Sequence, residues 1–181
     1  DHPDIYPTQA AYDQAFAMFV TQSTKSVLWE SDATRIFDTP RKDMMILKDN
    51  DPSLSGIKLA GHVNRRNAWQ IAQGLTYAGI TDRPVPELLD ILERFPGVSR
   101  RFEKIIAGLY SDYAHNKKKI RGALQLGHEI AGDNLVVVYE GLHNTRQHFI
   151  RKELVNLFDN VKQLYIVPSY LAREDQSLKL L

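Results

Sequence analysis

The 181-residue chain contains no cysteine. A disulfide framework, a thiolate zinc site and a cysteine nucleophile are therefore excluded, and we expect the protein to work in the cytoplasm. No apolar run approaches the ~18 residues that a membrane span needs, and no signal-peptide pattern opens the sequence. The sequence thus predicts a protein that does not associate with membranes.

An excess of charge of one sign is also lacking, since the formal net charge is +1. Such a balance gives no overall drive toward nucleic acid or anionic lipid. The densest basic run is Lys117-Lys118-Lys119-Ile120-Arg121, and no aromatic residue interrupts it. We interpret this run as the solvated first turn of a helix and expect no nucleic-acid partner.

The glycine-rich phosphate loop of many ATP-dependent enzymes is absent as well. The pattern Gly-x-x-x-x-Gly-Lys-(Ser/Thr) occurs nowhere, and Ser23-Thr24-Lys25-Ser26 has no glycine before it. The backbone cradle and the lysine that hold phosphates in such enzymes are therefore missing from this sequence.

The second half of the chain alternates predicted strands and helices. After Pro96-Gly97, which we take as a domain boundary, strands are predicted at residues 105–106, 109–114, 135–139 and 164–167, and Gly108 is expected to turn the first of them into the second. Helices are predicted over residues 117–131 and around 149–158. The β-branched run 135–139 is typical of a strand buried on both faces. This alternation predicts an α/β, Rossmann-like domain with a mainly parallel sheet, whose ligands lie beyond the carboxyl ends of the strands.

An acid, an aromatic residue and an imidazole follow the predicted strand at 109–114. Asp112 could accept hydrogen bonds from ribose hydroxyls, and the helix that starts after His115 offers free N–H groups to an anion. A purely structural interpretation stays open, in which Asp112 only ends a strand and Asn116 only caps the helix.

The first half contains two further candidate sites. Helices are predicted from Thr8 to about Gln22, from the region of Gly61 to Gly79, and after Pro84, with strands at residues 26–30 and 44–47. Asn64 and Asn67 are three positions apart, so both amides could read a base edge from one side of a helix, or one of them could be a cap. Asp1-His2-Pro3-Asp4 offers hard oxygen ligands and an imidazole to Mg²⁺, or is a solvated start of the chain.

Six stretches, in order along the whole chain, resemble motifs of the Mur ligases, ATP-dependent amino-acid ligases of peptidoglycan synthesis. Each motif alone is weak, but six in the same order are specific. They are Asp1-His2-Pro3-Asp4, Gly61–Asn67, Gly97–Glu103, Asp112–His115, Thr145-Arg146, and Tyr170 with Ala172 and Glu174.

The resemblance implies a role for each matched residue. On the nucleotide side, His2 would help to hold Mg²⁺, and Arg101 would reach the ATP phosphates, with Arg100 as the alternative. The further nucleotide contacts are Asn64 and Asn67 at the adenine, Asp112 at the ribose, and the adjoining Tyr113 and His115. The residues that would face the amino-acid substrate are His143, Thr145, Arg146 and Tyr170.

The resemblance further implies that residues 1–96 are the C-terminal part of a central ATP-binding α/β domain and residues 97–181 a truncated C-terminal Rossmann-like domain. The full-length parent would use ATP and Mg²⁺ to join UDP-N-acetylmuramate to an L-amino acid, first of all L-alanine, through an acyl phosphate. A ligase that recycles murein tripeptide and a non-catalytic nucleotide-binding module are the alternatives.

The sequence also departs from the family pattern. Val63 stands where a histidine is usual, Leu142 and His143 replace His-Arg in the amino-acid loop, and Asn116–Lys119 replace His-Pro-Thr-Glu. Because the phosphate loop is missing too, we expect the isolated chain to bind ATP weakly and to catalyse nothing.

Overall fold

The computed structural model describes residues 5–39, 41–141 and 144–168. The chain divides into two compact units, one made of the chain up to Leu59 together with Val63–Phe95, the other of Ala60–His62 and the chain from Pro96 onward. In the described ranges the strands form two parallel pairs and one antiparallel pair, which confirms the predicted α/β class. No helix in these ranges is long and apolar enough to span a bilayer.

The first unit opens with a helix and a parallel strand pair. Helix α1 (Gln9–Thr21) begins as predicted after Thr8, whose hydroxyl accepts the N–H of Ala11 at 3.1 Å. Strand β1 (Ser26–Trp29) pairs in parallel with β2 (Met44–Leu47).

Between these strands lies a helix that the sequence did not predict, α2 (Glu30–Ile36). It is only seven residues long and carries mostly polar side chains, so it gives little apolar periodicity. Its first turn is fixed instead by Asp49, which accepts hydrogen bonds from the N–H and the hydroxyl of Ser31.

Two longer helices cover the strand pair. Helix α3 spans His62–Ala78, and α4 spans Val85–Glu93 with Pro84 at its N-cap, both close to the predicted bounds. A 3₁₀ turn at Pro52–Gly56 precedes them. Trp69 from α3 and Leu89 from α4 pack against a core cluster of buried residues. That cluster consists of Trp29, Leu47, Leu54 and Ile57.

A charged cluster closes one side of this core. The guanidinium of Arg66 lies 4.0 Å from the ring centroid of buried Trp29, and its Nη2 is 2.7 Å from the Oδ1 of Asp49. Burial alone would raise the pKa of Asp49, but the hydrogen bonds from Ser31 and Arg66 outweigh burial and leave the pKa below its usual value. The ionised carboxylate therefore stabilises the folded unit.

The second unit begins with a hairpin rather than with a strand of a parallel sheet. Strand β3 (Glu103–Ile106) pairs antiparallel with β4 (Leu109–Ser111). The predicted turn at Gly108 is confirmed. The strand predicted at 109–114 ends at Ser111, and its placement in a parallel sheet was wrong. Gly108 has a φ of 79°, a conformation that glycine adopts without steric cost, and this permits the tight reversal.

The rest of the second unit contains a βαβ arrangement. Helix α5 (Lys117–Ala131) is followed by β5 (Val136–Glu140), α6 (Asn144–Leu154) and β6 (Gln163–Val167), and β5 pairs in parallel with β6. Helix α6 starts five residues before the apolar pattern near Phe149 and ends earlier than predicted.

The burial expected for β5 was wrong. Val136 and Val138, on one face, are 50% and 68% exposed. Val137 and Tyr139, on the other face, are partly buried, and the Tyr139 hydroxyl donates to the Oε1 of Gln147 in α6 at 2.7 Å. The described residues thus cover only one face of the pair, whereas burial of both faces requires helices on each side.

Residues 60–62 are held within the second unit by α5. The N–H of Gly61 donates to Glu129 Oε2 at 2.8 Å, and the N–H of His62 donates to Gln125 Oε1 at 2.9 Å. Gly61 has a φ of 85°, and a Cβ added there would lie 2.7 Å from Cδ1 of Leu126. Both the backbone conformation and the space therefore require glycine at this position.

We predict that Asp49→Asn lowers the free energy of unfolding by about 1–2 kcal/mol at pH 7, because Arg66 loses its ionised partner. Since the folded-state pKa is lowered, this contribution is complete above the unfolded-state pKa and disappears as the pH falls through the folded value, below about pH 4. Urea unfolding followed by tryptophan fluorescence at pH 7 and pH 3 measures both effects. Asp82→Asn, at an exposed loop position, is the control, and equal losses in the two variants would contradict the prediction.

We predict that Gly61→Ala destabilises the second unit by about 1–3 kcal/mol, through the left-handed backbone and the contact with Leu126. Gly108→Ala is the matched control, since Gly108 also has a positive φ but has no heavy atom within 4 Å of an added Cβ. Thermal unfolding followed by circular dichroism should give a larger fall in Tm for Gly61→Ala. An equal fall would mean that the Leu126 contact costs nothing.

Candidate functional site

The loop at residues 98–103 and the segment after β4 meet at the carboxylate of Asp112. Its Oδ2 accepts the N–H of Phe102 at 2.8 Å, and its Oδ1 accepts the N–H of Ala114 at 2.6 Å. The hairpin makes this contact possible because it pairs Glu103 with Ser111. Phe102, which precedes Glu103, therefore lies near Asp112, which follows Ser111. Asp112 therefore joins the two segments that carry Arg101 and Tyr113.

The ring of Tyr113, the residue after Asp112, contacts the side chains of Arg101 and His115. The guanidinium of Arg101 lies 5.7 Å from the centroid of the Tyr113 ring, within the range of a cation–π interaction. The ring of His115 lies edge-on to Tyr113, with 5.2 Å between the centroids. The structure thus places Arg101, Asp112, Tyr113 and His115 in one part of the second unit, and their roles toward a nucleotide stay predictions.

His115 is the buried member of this cluster, with 7% of its surface exposed. Its Nδ1 is 2.8 Å from the carbonyl oxygen of Tyr113, and its Nε2 is 3.4 Å from Nζ of Lys119. Because a carbonyl oxygen only accepts, Nδ1 carries the hydrogen, and in the neutral ring Nε2 accepts from the ammonium group. His115 thus fixes the backbone of Tyr113 and holds Lys119 near the start of α5.

The first turn of α5 has the predicted cap. The Asn116 side chain accepts the N–H of Lys119 at 3.0 Å, and the Asn116 carbonyl accepts the N–H of Ile120 at 2.9 Å. The structural interpretation of Asn116 is therefore confirmed. For Asp112 both interpretations remain compatible, since each carboxylate oxygen has two lone pairs and uses one of them for a backbone N–H.

Ser99 and Glu103 belong to the motif at Gly97–Glu103, but the sequence predicted no separate role for either of them. Glu103 Oε2 accepts the hydroxyl of Ser99 at 2.8 Å and the N–H of Arg100 at 2.9 Å. The Arg100 N–H and then the Ser99 hydroxyl lower the pKa of Glu103, so this carboxylate stays ionised. The spacing Ser-x-x-x-Glu, with the two arginines inside it, is the sequence signal that could have indicated the hydrogen bond between Ser99 and Glu103.

The predicted adenine residues lie on α3, in the first unit. Asn64 and Asn67 are the third and sixth residues of this helix and both are exposed. Neither is the N-cap, because the helix begins at His62, so the capping alternative was wrong. Arg66, between them, points to the core, where it contacts Trp29 and Asp49.

The remaining predicted site residues cannot be placed by their side chains. His2, His143 and Tyr170 lie outside the described residues, and of Thr145 and Arg146 only the backbone, in the first turn of α6, is described. Within residues 5–39, 41–141 and 144–168, no group of three or more histidine, aspartate or glutamate side chains could hold a metal ion. The magnesium site expected at Asp1-His2-Pro3-Asp4 lies outside these residues and stays a prediction.

A groove of about 480 Å³ lies elsewhere, in the first unit between the 3₁₀ turn, α3 and α4. None of the predicted site residues lines it. Its walls combine apolar Trp69, Val85 and Leu89 with the carboxylates Asp90 and Glu93. The groove and the predicted nucleotide residues are thus separate features.

Comparison with known proteins supports the motif resemblance, although no family model matches the chain. A UDP-N-acetylmuramate–L-alanine ligase of Lactobacillus helveticus is 24% identical over 204 aligned positions, covering 97% of this chain and 46% of the relative. The ligase of the same name from Clavibacter sepedonicus is also 24% identical, covering 97% of this chain and 43% of the relative.

A shorter match is closer in sequence. The UDP-N-acetylmuramate–L-alanine ligase of Paenarthrobacter aurescens is 35% identical over 89 residues, which are 46% of this chain and 20% of the relative. The chain spans less than half the length of these curated relatives. Two alignments over almost the entire chain and the order of the motifs lead to one conclusion, that the chain is related to the Mur ligases.

Proposed function

We propose that the chain is part of an ATP-dependent ligase of peptidoglycan synthesis that joins UDP-N-acetylmuramate to an L-amino acid, first of all L-alanine. The observation that carries the proposal is the cluster of Arg101, Asp112 and Tyr113 in a chain whose relatives bear that enzyme name. A guanidinium, a carboxylate and an aromatic ring offer a nucleotide the contacts that its phosphates, ribose hydroxyls and flat faces require.

In this proposal the second unit holds the sugar and phosphate part of ATP. Asp112 accepts the ribose hydroxyls with the lone pairs that Phe102 and Ala114 do not use. Arg101 donates to phosphate oxygens, for which a planar guanidinium fork is well suited. The Tyr113 ring supports the guanidinium of Arg101, and His115 packs edge-on against that ring.

The roles of the other predicted residues also belong to the proposal. Exposed Asn64 and Asn67 provide the amide groups that can pair with the edge of adenine. His143, Thr145, Arg146 and Tyr170 face the amino-acid substrate, whose carboxylate a guanidinium can bind with two hydrogen bonds. His2 takes part in binding Mg²⁺, but since no described cluster fits a metal, we derive no step that involves it.

The reaction that we propose for the full-length parent has two stages. The carboxylate of the sugar substrate attacks the γ-phosphate of ATP and yields an acyl phosphate and ADP. The amino group of the amino acid then attacks the acyl carbon, an amide bond forms, and inorganic phosphate and a proton leave. Catalysis of phosphoryl transfer depends mainly on positioning and on neutralising charge, which is the task assigned to Arg101. A chain without cysteine is compatible with the cytoplasm as the compartment.

We predict that the chain binds ATP in the millimolar range and that Asp112→Ala weakens this binding at least about tenfold, the effect of one charge-assisted hydrogen bond. Amide chemical shifts of Arg101, Tyr113 and Ala114 during titration with ATP, with and without Mg²⁺, give the dissociation constant. Asp133→Ala, at an exposed acid of the same unit, is the control. No saturable shift of these amides in the wild type would contradict the proposal for this unit.

We predict that the isolated chain forms no amide from ATP, UDP-N-acetylmuramate and L-alanine, because it has no phosphate loop. Phosphate release and product mass measure this, with the full-length parent as the positive control. Turnover by the chain alone would contradict the prediction. In the parent, a preference for L-alanine over murein tripeptide supports the proposed substrate, the reverse preference supports the recycling ligase, and no turnover of either supports a non-catalytic module.

A further inference from the structure

Arg101 lies at the tip of a turn with an unusual backbone. Its neighbours Arg100 and Phe102 have φ values of 59° and 51°, in the left-handed region that residues with a Cβ rarely adopt. Two such residues within three positions persist only when the surroundings hold them in place. Strained residues of this kind are common at binding and catalytic sites, where neighbouring groups hold them in place.

Glu103 holds the first of the two strained residues. Its Oε2 accepts both the N–H of Arg100 and the hydroxyl of Ser99. The carbonyl of Arg100 accepts the N–H of Tyr113 at 2.8 Å, so both backbone groups of this residue are fixed. The N–H of Arg101 donates to the carbonyl of Val98 at 3.0 Å, which closes the turn.

The two arginines differ in their surroundings. Arg100 is held through its backbone, whose N–H donates to Oε2 of Glu103 at 2.9 Å. The guanidinium of Arg101 lies instead beside the ring of Tyr113. A guanidinium beside a ring face can direct its N–H edge to a planar or tetrahedral anion.

We propose that Glu103 is a positioning residue, whose carboxylate holds Arg100 in the left-handed conformation and thereby presents Arg101, rather than Arg100, to a phosphate group. The phosphate part of this inference rests on the proposed nucleotide function. The positioning part rests only on the hydrogen bonds and backbone angles of the turn.

Four variants of the full chain test the two parts. Glu103→Ala removes the acceptor, whereas Glu103→Gln keeps one oxygen that can accept both hydrogen bonds. Arg100→Gly makes the left-handed conformation free of strain and keeps Arg101. The double variant Arg100→Gly/Glu103→Ala tests whether the turn keeps its conformation without the carboxylate when residue 100 can adopt a positive φ without strain.

The first readout needs no ligand. We expect the Tyr113 ring to shift the side-chain proton resonances of Arg101 upfield, and NMR measures that shift. We expect Glu103→Ala to lose most of the shift, and Glu103→Gln and the double variant to retain it. A merely structural role would lower the stability of Glu103→Ala without moving these resonances, and an unchanged shift in that variant would overturn the positioning role.

The second readout is the dissociation constant for inorganic pyrophosphate, measured from the Arg101 Nε–H resonance. We expect Glu103→Ala to weaken binding about tenfold, and Glu103→Gln and the double variant to stay within about threefold of the wild type. Arg100→Gly should bind like the wild type. Loss of binding in Arg100→Gly would instead make Arg100 the phosphate ligand and overturn the assignment.

The two parts can fail separately. If wild-type chain binds neither pyrophosphate nor ATP, the proposed nucleotide function fails, and with it the role of Arg101 toward phosphate. The positioning role of Glu103 is then still decided by the ligand-independent shift.

Discussion

The geometry of the candidate site depends on two hydrogen bonds that backbone N–H groups donate to the carboxylate of Asp112. The donors, Phe102 and Ala114, belong to segments separated by the whole β3–β4 hairpin. Hydrogen bonds to an ionised acceptor are about twice as strong as neutral ones. They offset part of the cost of the left-handed conformation at Phe102, and they place Arg101 beside Tyr113. The structural role of Asp112 is compatible with the binding role that we propose, because each carboxylate oxygen keeps a second lone pair.

The first unit uses a different interaction for a comparable purpose. Arg66 is fixed from inside by the Trp29 ring and the Asp49 carboxylate, and Asp49 also holds the start of α2. Since Arg66 lies between Asn64 and Asn67 on one helix, fixing it toward the core fixes the rotation of that helix. Both asparagines lie on the exposed part of that helix.

Sequence patterns predicted the features that depend on local chemistry. Thr8 and Asn116 cap helices where their side chains and the following periodicity indicated, and the bounds of α3 and α4 agree with the glycine and proline signals. The errors concern properties that depend on distant parts of the chain. The burial of β5 depends on what covers Val136 and Val138, and the pairing of β4 depends on which strands lie beside it in the folded unit. The left-handed conformations of Arg100 and Phe102 leave no compositional trace, because neither is glycine, asparagine or aspartate. The nucleotide roles of Arg101, Asp112, Asn64 and Asn67 stay predictions.

The same physical argument explains why a chain with these motifs should bind ATP weakly. A phosphate loop supplies several backbone N–H groups and a lysine to the phosphates, where most of the charge of ATP resides. The groups assigned to the nucleotide here are mainly neutral amides, one carboxylate for hydroxyls and one guanidinium at the end of a turn. Solvent screens the charge of an exposed guanidinium. Its contribution to the binding free energy is therefore larger when the side chain and its turn need little rearrangement to bind the anion. A turn whose backbone is already fixed by Glu103 and Asp112 reduces that reorganisation. In the role that we propose for Arg101, the strain at Arg100 and Phe102 is a cost of folding that lowers the later cost of binding phosphate.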